Sequence, residues 1–277
     1  MTKLTIFAAQ IRREEMKEFK ELGFGHIGGS LSITDTIAAL YGDIMHYDPQ
    51  TPLWEKRDRL VCSKGHAGPA IYATLALKGF FPMEWLMTLN KPGTRLPSHC
   101  DKNLTPGIDM TTGSLGQGAS TAAGLALALK YDKSDSRVYL ILGDGECNEG
   151  QVWEMALFAA HKKLGNLIAF VDYNHKQLDG TTDEIMNLGD IGAKFASFGW
   201  FVQTIDGSDP DLVVAAVRTA QHMQKDRPAM IVLNTIKGAG VPACEAIEFN
   251  HHIVCGPQMA DEAIAELDKV IGGTEGV

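Results

Sequence analysis

Residues 138–180 read VYLILGDGECNEGQVWEMALFAAHKKLGNLIAFVDYNHKQLDG, and this stretch decides the fold. One apolar run, 138–142, ends in Gly143-Asp144-Gly145; a second, 167–171, ends near Asn174, thirty positions after Asp144. Neither run alternates apolar with polar residues, the pattern of parallel strands covered on both faces. Between them Val152, Met155, Ala156 and Ala159 recur at helical spacing and form one apolar face. Asn148, with Gln151 three residues on, reads as the N-cap of that helix in the manner of a capping box. The β-α-β unit so defined brings Asp144 and Asn174 to neighbouring strand ends. Their oxygens, one backbone carbonyl, two phosphate oxygens and a water would complete the six-oxygen shell of a hard divalent cation held against a diphosphate. Gly143, Gly145 and Gly150 let the backbone approach a phosphate closely, and a helix N-terminus at the same spot favours an anion. A nicotinamide fingerprint does not fit, because GSLGQG at 113–118 has its glycines in the wrong order.

The chain has 277 residues and a formal net charge of −9, with an isoelectric point near 5.5. That length suits one large α/β domain or two small ones. The acidic balance argues against nucleic-acid or membrane-surface partners, and an acidic chain that binds a diphosphate needs a metal or local dipoles to offset repulsion. The five cysteines (62, 100, 147, 244, 255) are scattered and lack CxxC spacing, the usage of reduced thiols in a cytoplasmic protein. The first residues lack the apolar core of a signal peptide, and no apolar stretch is long enough to span a bilayer.

Along the chain, the pattern predicts helices over 4–22, 32–45, 67–78, 83–89, 116–131, 209–224 and 261–271. Strands are expected at 138–142, 167–171, 200–205 and 229–234, with 59–62 a short strand or turn. Residues 90–113, rich in Pro and Gly, read as a long loop, and loops of that length in compact domains are often functional. No repeat, low-complexity tract or linker interrupts the chain. The expected fold is α/β, a three-layer, doubly wound, mainly parallel sheet forming one domain over 1–277, with N-terminal helices and a C-terminal helical tail. Ligands in such a fold bind at the carboxyl ends of the strands.

Histidines recur in glycine- or proline-bounded loops: His26 in GHIGGS, His66 in SKGHAGP, His99 in PSHCD, and His251-His252 after KGAGVP. Singly, each reads equally as a hydrogen-bonded surface residue, and their spacing is not that of a zinc motif. Together, over the end of an α/β sheet, they suit proton transfer to and from sugar hydroxyls near neutral pH.

In order, GHIGGSLS, SKGHAGP, PGIDMTTGSLGQG, GDGECNEGQVWE, LGNLIAFVDYNHKQLDG and IKGAGVP resemble the transketolase family over about residues 8–256. The chain is similar to its N-terminal, diphosphate-binding half, and more narrowly to the N-terminal subunit of a split, two-chain transketolase. The resemblance implies a thiamine-diphosphate-binding fold and a thiamine diphosphate cofactor with Mg²⁺, for which Ca²⁺ or Mn²⁺ can substitute. It implies metal binding by Asp144, Asn174 and the main-chain carbonyl of Lys176. Cofactor contacts would come from His66, Gly113, Leu115, Asp144, Gly145, Asn174 and Leu178. His26, His66, His99 and one of His251 or His252 would serve the sugar and its proton transfers. Glu149 and Glu154 match carboxylates lying between paired cofactor sites, although acids in a first helical turn also suit the helix dipole.

The sequence departs from the family at Ile27, where full-length transketolases usually carry proline, and around His251; both bear on substrate detail. The pyrimidine-binding domain, whose glutamate activates the cofactor, normally follows this half. The chain ends at Val277, so a separate C-terminal subunit is expected to supply that domain, with two copies of each chain. Substrates would be sugar phosphates, with a pentose phosphate the default and a branched or sulfonated sugar an alternative. The competing readings are the α subunit of a 2-oxo acid dehydrogenase, which shares the GDG…N element but not the histidine set; a 1-deoxyxylulose-phosphate synthase, whose chain is much longer; and a non-catalytic thiamine-diphosphate-binding subunit.

Overall fold

The computed structural model of the protein describes residues 1–223 and 226–273. Among them are strands β1 (Phe24–Gly25), β2 (Arg59–Cys62), β3 (Val138–Gly143), β4 (Leu167–Tyr173), β5 (Phe201–Asp206), β6 (Ala229–Asn234) and β7 (Ile253–Val254). Strands β2 to β6 form a parallel sheet in the order β2-β3-β4-β6-β5. β3 is buried along its whole length, β4 up to Tyr173 and β6 up to Asn234. This is why their sequences run apolar without alternation. β5, at the edge, is half-exposed.

The two sheet faces carry separate cores. Tyr139 and Ile141 of β3 and Phe170 of β4 face helices Thr34–Ala39, Gly68–Leu77 and Pro210–Met223, through Ile37, Ile71 and Val213. Leu140, Leu142, Ala169 and Val171 face helices Gln117–Tyr131, Gly150–His161 and Ile191–Ser197, through Ala122, Val152, Met155 and Phe195. The result is the expected helix–sheet–helix sandwich. Helix Lys3–Leu22 packs on helix Pro257–Gly272 through Met16, Phe19, Ala260 and Leu267, tied at the surface by Lys20–Asp261 at 2.5 Å and Arg13–Asp268 at 3.2 Å.

Four local expectations change. The helix expected over 32–45 is broken into Thr34–Ala39 and a π turn, Leu40–Ile44, with a further short helix, Ile27–Leu31, before it. The break at Ser32–Ile33 lets the Ser32 hydroxyl donate to Asp172 at 2.6 Å, and Thr34 to Glu15 at 2.8 Å. Residues 83–89 form 3₁₀ turns, Met83–Thr88, rather than an α-helix. The helix after the GDG turn starts at Gly150, because a 3₁₀ turn, Gly145–Asn148, intervenes. Asn148 is therefore not its N-cap: Glu149 stands there without a side-chain cap bond. Gln151 instead bonds Gln117 and Ser120 at 2.8 Å each. Finally, β1 and β7 pair antiparallel, Phe24 opposite Val254 and Gly25 opposite Ile253. Two-residue strands carry no sequence pattern, so this ribbon was not expected. It brings His26 beside His251 and His252. Residue 224, the end of one expected helix, lies outside the described residues.

Candidate active site

Register places the carboxyl ends of β3, β4 and β6 side by side, Gly143 opposite Asp172 and Asp172 opposite Leu233. A cleft of about 270 Å³ opens there, lined by His26, Gly29, Lys64, His66, His99, Gly113, Leu115, Gly143, Asp144, Gly145, Glu146, Asn174, Lys176, Gln177, Leu178, Lys237 and His251.

At its floor Asp144 is buried and accepts from the backbone N–H groups of Gly145 and His175, each at 2.7 Å. Burial first, and Asp172 second, push its pKa up to about 7, against the pull of those N–H groups and Lys64. Asn174 donates its amide to Asp172 Oδ2 at 2.7 Å, and its Oδ1 accepts from Lys176 N–H at 3.2 Å. The amide is thereby oriented with nitrogen toward Asp172 and oxygen away. Asp172 itself, 0 % exposed, accepts from Lys64 at 2.5 Å, from Ser32, and from Thr235. Burial alone would raise its pKa; the Lys64 ammonium and these hydrogen bonds bring it below the usual carboxylate value. The Lys176 carbonyl accepts from Lys237 Nζ at 3.1 Å.

Above this floor the histidines converge. The His26 ring lies 5.4 Å from His66, 5.5 Å from His99, 5.3 Å from His251 and 4.8 Å from His252, centroid to centroid. His66 and His251 are 4.9 Å apart. Desolvation lowers His26 to about 4 and His251 to about 3, aided by neighbouring histidines and Lys237, and lowers His66 and His99 as well. At neutral pH these rings are neutral, each able to donate at one nitrogen and accept at the other. His251 lines the cleft, whereas His252 rests on the Phe24 ring at 5.5 Å beside a smaller neighbouring pocket.

The residues present suit a diphosphate and a hard cation. Gly113 has φ +142°, and a Cβ there would meet His99 at 2.9 Å; a Cβ on Gly145 would meet Gln177 at 2.9 Å. Side chains at either position would crowd the cleft wall. Gln177 Nε2 is buried without a hydrogen-bond partner, a donor facing no acceptor of the protein. Lys64 and Lys237 bring two buried ammonium groups, with Lys237 lowered to about 8 by burial and then by Lys64. Among the described residues no group of three or more His, Cys, Asp or Glu side chains is arranged around a metal position. The oxygen set of Asp144, Asn174 and a carbonyl suits instead a cation whose shell phosphate oxygens complete.

Of the residues singled out from sequence, His26, His66, His99, His251, Gly113, Leu115, Asp144, Gly145, Asn174, Lys176 and Leu178 share this cleft. Glu149 and Glu154 do not: both are exposed, Glu149 just before and Glu154 within the helix that starts at Gly150. That helix start is also absent from the cleft wall, so the dipole expected from it lies one short turn away. Cys147 is fully buried and burial holds its thiol well above the usual value, so it is no nucleophile. Sequence reasoning missed Lys64, Lys237, Asp172 and Glu146. Glu146 accepts from Ser63, from Gly116 N–H at 2.8 Å and from Gly143 N–H at 3.0 Å, clipping the cleft loops together. A charged residue closing an all-apolar strand, as Asp172 does, and lysines inside two glycine motifs were the available signals.

The geometry is that of an α/β protein with its ligand cleft at the carboxyl ends of a doubly wound parallel sheet. The family profile described as "Transketolase, thiamine diphosphate binding domain" matches residues 5–275, and the chain belongs to that family. It is 54 % identical over 259 residues to the 6-deoxy-6-sulfo-D-fructose transketolase subunit SqwG of Clostridium sp. (strain MSTE9), covering 94 % of each chain. It is 40 % identical over 247 residues to a subunit of the apulose-4-phosphate transketolase of Phocaeicola vulgatus, covering 89 % of this chain and 87 % of that one. Among solved structures, the transketolase of Leishmania mexicana superposes with a TM-score of 0.88 at 30 % identity, over 98 % of this chain and 42 % of the other. The chain thus spans less than half of such a transketolase. Among the described residues no helix is long and apolar enough to cross a membrane.

Proposed function

We propose that this chain is the diphosphate-binding subunit of a two-chain, thiamine-diphosphate-dependent transketolase. It moves a two-carbon ketol unit from a ketose to an aldose, and acts as one domain over its length. A separate subunit carries the pyrimidine-binding domain, in an assembly of two copies of each chain in the cytoplasm. The observation that carries this reading is the convergence, in one cleft, of the Asp144–Asn174–Lys176 oxygen set with four neutral histidines. The two relatives covered nearly end to end support it, since both are named as transketolase subunits. Five buried free thiols suit a reducing compartment.

Thiamine diphosphate, when bound, supplies the electron sink that lets the carbon–carbon bond beside a ketose carbonyl break. Asp144, Asn174 and the Lys176 carbonyl hold the Mg²⁺, or Ca²⁺ or Mn²⁺ in its place. Gly113, Leu115, Gly145, His66 and Leu178 line the cofactor's diphosphate and ring. His26 and His99 take and return protons at sugar hydroxyls, which neutral imidazoles can do without a prior change of charge, and His251 donates a hydrogen bond to the sugar. Glu149 and Glu154, exposed on this chain, would meet the second copy of the assembly. Donors of the sulfo-ketose class come first, because the 54 % identical relative is named for one; sugar phosphates come next.

The test is reconstitution. The chain is purified with the protein encoded beside it, loaded with thiamine diphosphate and Mg²⁺, and assayed with sulfo-ketose and ketose phosphate donors. Two-carbon transfer should require both proteins. Full turnover by the chain alone, or 2-oxo acid decarboxylation in place of transfer, would refute the proposal.

A further inference from the structure

We infer that Lys237 is a positioning residue: its ammonium fixes the ring of His251, rather than His252, in the cleft and sets which ring nitrogen carries the proton. Lys237 is 3 % exposed, and its Nζ lies 3.1 Å from His251 Nδ1 and 3.1 Å from the Lys176 carbonyl oxygen. An ammonium has donors and no acceptor. His251 Nδ1 must therefore accept, and Nε2 carries the hydrogen. The ring is held as a neutral donor at Nε2, and its position is tied through one charge to the carbonyl proposed as a cation ligand.

The surrounding backbone makes this arrangement rigid. Asn250, 1 % exposed, donates to the carbonyls of Lys237 at 2.7 Å and Cys244 at 2.9 Å. Gly28 N–H donates to the Asn250 carbonyl at 3.1 Å, and Gly238 N–H to the Gly28 carbonyl at 3.0 Å. A Cβ on Gly28 would sit 2.3 Å from that Asn250 oxygen and 2.9 Å from Lys237 Cγ. The GHIGGS and KGAGVP segments are thus locked together, with Lys237 held at their junction. Among the described residues His252, one residue on, has no such tether and packs on Phe24 and His26.

Only the consequence for sugar binding rests on the proposed function, and the two are separable. Histidine-¹⁵N-labelled chain, without partner or substrate, is examined by two-bond ¹H–¹⁵N correlation at pH 7, the His251 signals being assigned with His251→Asn. The expected result is a protonated Nε2 and bare Nδ1 in the wild type. Lys237→Met, close in length and apolar, should release the ring into a mixture of tautomers, and Lys237→Arg should restore the wild-type pattern. Protonated Nδ1 in the wild type, which needs no variant to observe, would overturn the inference, as would an unchanged pattern in Lys237→Met. In the reconstituted enzyme Lys237→Met should raise the KM for ketose about tenfold, the worth of one hydrogen bond between neutral groups. A changed tautomer with unchanged KM would leave Lys237 as the tether and sink the sugar-facing role of His251.

Discussion

Replacing Asp172 by asparagine isolates the electrostatic part of the strand-end network. The carboxylate accepts from four side-chain donors. Oδ2 takes Lys64 at 2.5 Å, Ser32 at 2.6 Å and Asn174 at 2.7 Å, and Oδ1 takes the Thr235 hydroxyl. An asparagine of the same shape can turn its oxygen toward the first three and its amide toward Thr235, whose hydroxyl can rotate to accept. Hydrogen-bond geometry is thus largely kept, and the loss is that of the charge facing Lys64, which is 2 % exposed. Removing one partner of a buried ion pair costs about 3–5 kcal/mol, because the other charge is left uncompensated. Asp172→Asn should therefore lower unfolding free energy by about that amount, measured by urea unfolding with tryptophan fluorescence at pH 7. Adding Lys64→Met removes the stranded charge, so the double variant should be more stable than Asp172→Asn alone. A cost below about 1 kcal/mol, or no recovery in the double variant, would refute the reasoning.

Two further substitutions test buried acids by the sign of their pH dependence. Burial, against the pull of the Thr34 hydroxyl and other neighbours, raises Glu15 to about 7, so the folded state holds a proton that the unfolded state releases. Stability should be fully present near pH 4.5 and fall as pH rises toward 7; Glu15→Gln should flatten that fall and gain about 3 kcal/mol at pH 8, and parallel unfolding curves for the two proteins would exclude it. Asp144, raised to about 7 by burial and then by Asp172, loses stability over the same direction of pH. Asp144→Asn should make the ligand-free chain more stable at pH 8 by roughly 2 kcal/mol, after one N–H acceptor is lost. Calorimetry on the same variant should find no Mg²⁺-dependent binding of thiamine diphosphate; unaltered affinity would remove Asp144 from the metal set.

The sheet was legible because strands buried on both faces must be apolar throughout, and β3, β4 and β6 are. The cleft, as a candidate site, was legible where its lining residues sit at strand ends or in glycine-bounded loops, as with Asp144, Asn174, His26, His66, His99 and His251. What stayed hidden depends on long-range pairing. Ser32 and Thr34 look like ordinary helix positions, yet their hydroxyls reach Asp172 and Glu15 across the fold, and the helix breaks there. The capping reading of Asn148 failed because the turn after Asp144 closes a 3₁₀ segment first, with Glu146 drawn back to Gly116 and Gly143. The β1–β7 ribbon joins residues more than two hundred positions apart, a distance over which local pattern carries no information.

Net charge was the least informative number. A charge of −9 argues for repulsion of a diphosphate, and the offset was expected from a metal and a helix N-terminus. The cleft adds buried lysines to that offset. Asp172 beside the cleft is paired with Lys64, burial raises Asp144 to about 7, and Lys237 adds a second buried ammonium. Buried ammonium groups thus offset the carboxylates at the strand ends. On the proposed function a cation takes the Asp144 carboxylate in place of its proton, so metal affinity should strengthen as pH rises through 7. The buried Lys237 also touches the Lys176 carbonyl at the floor and His251 above it, so the two levels of the cleft are joined by a single side chain.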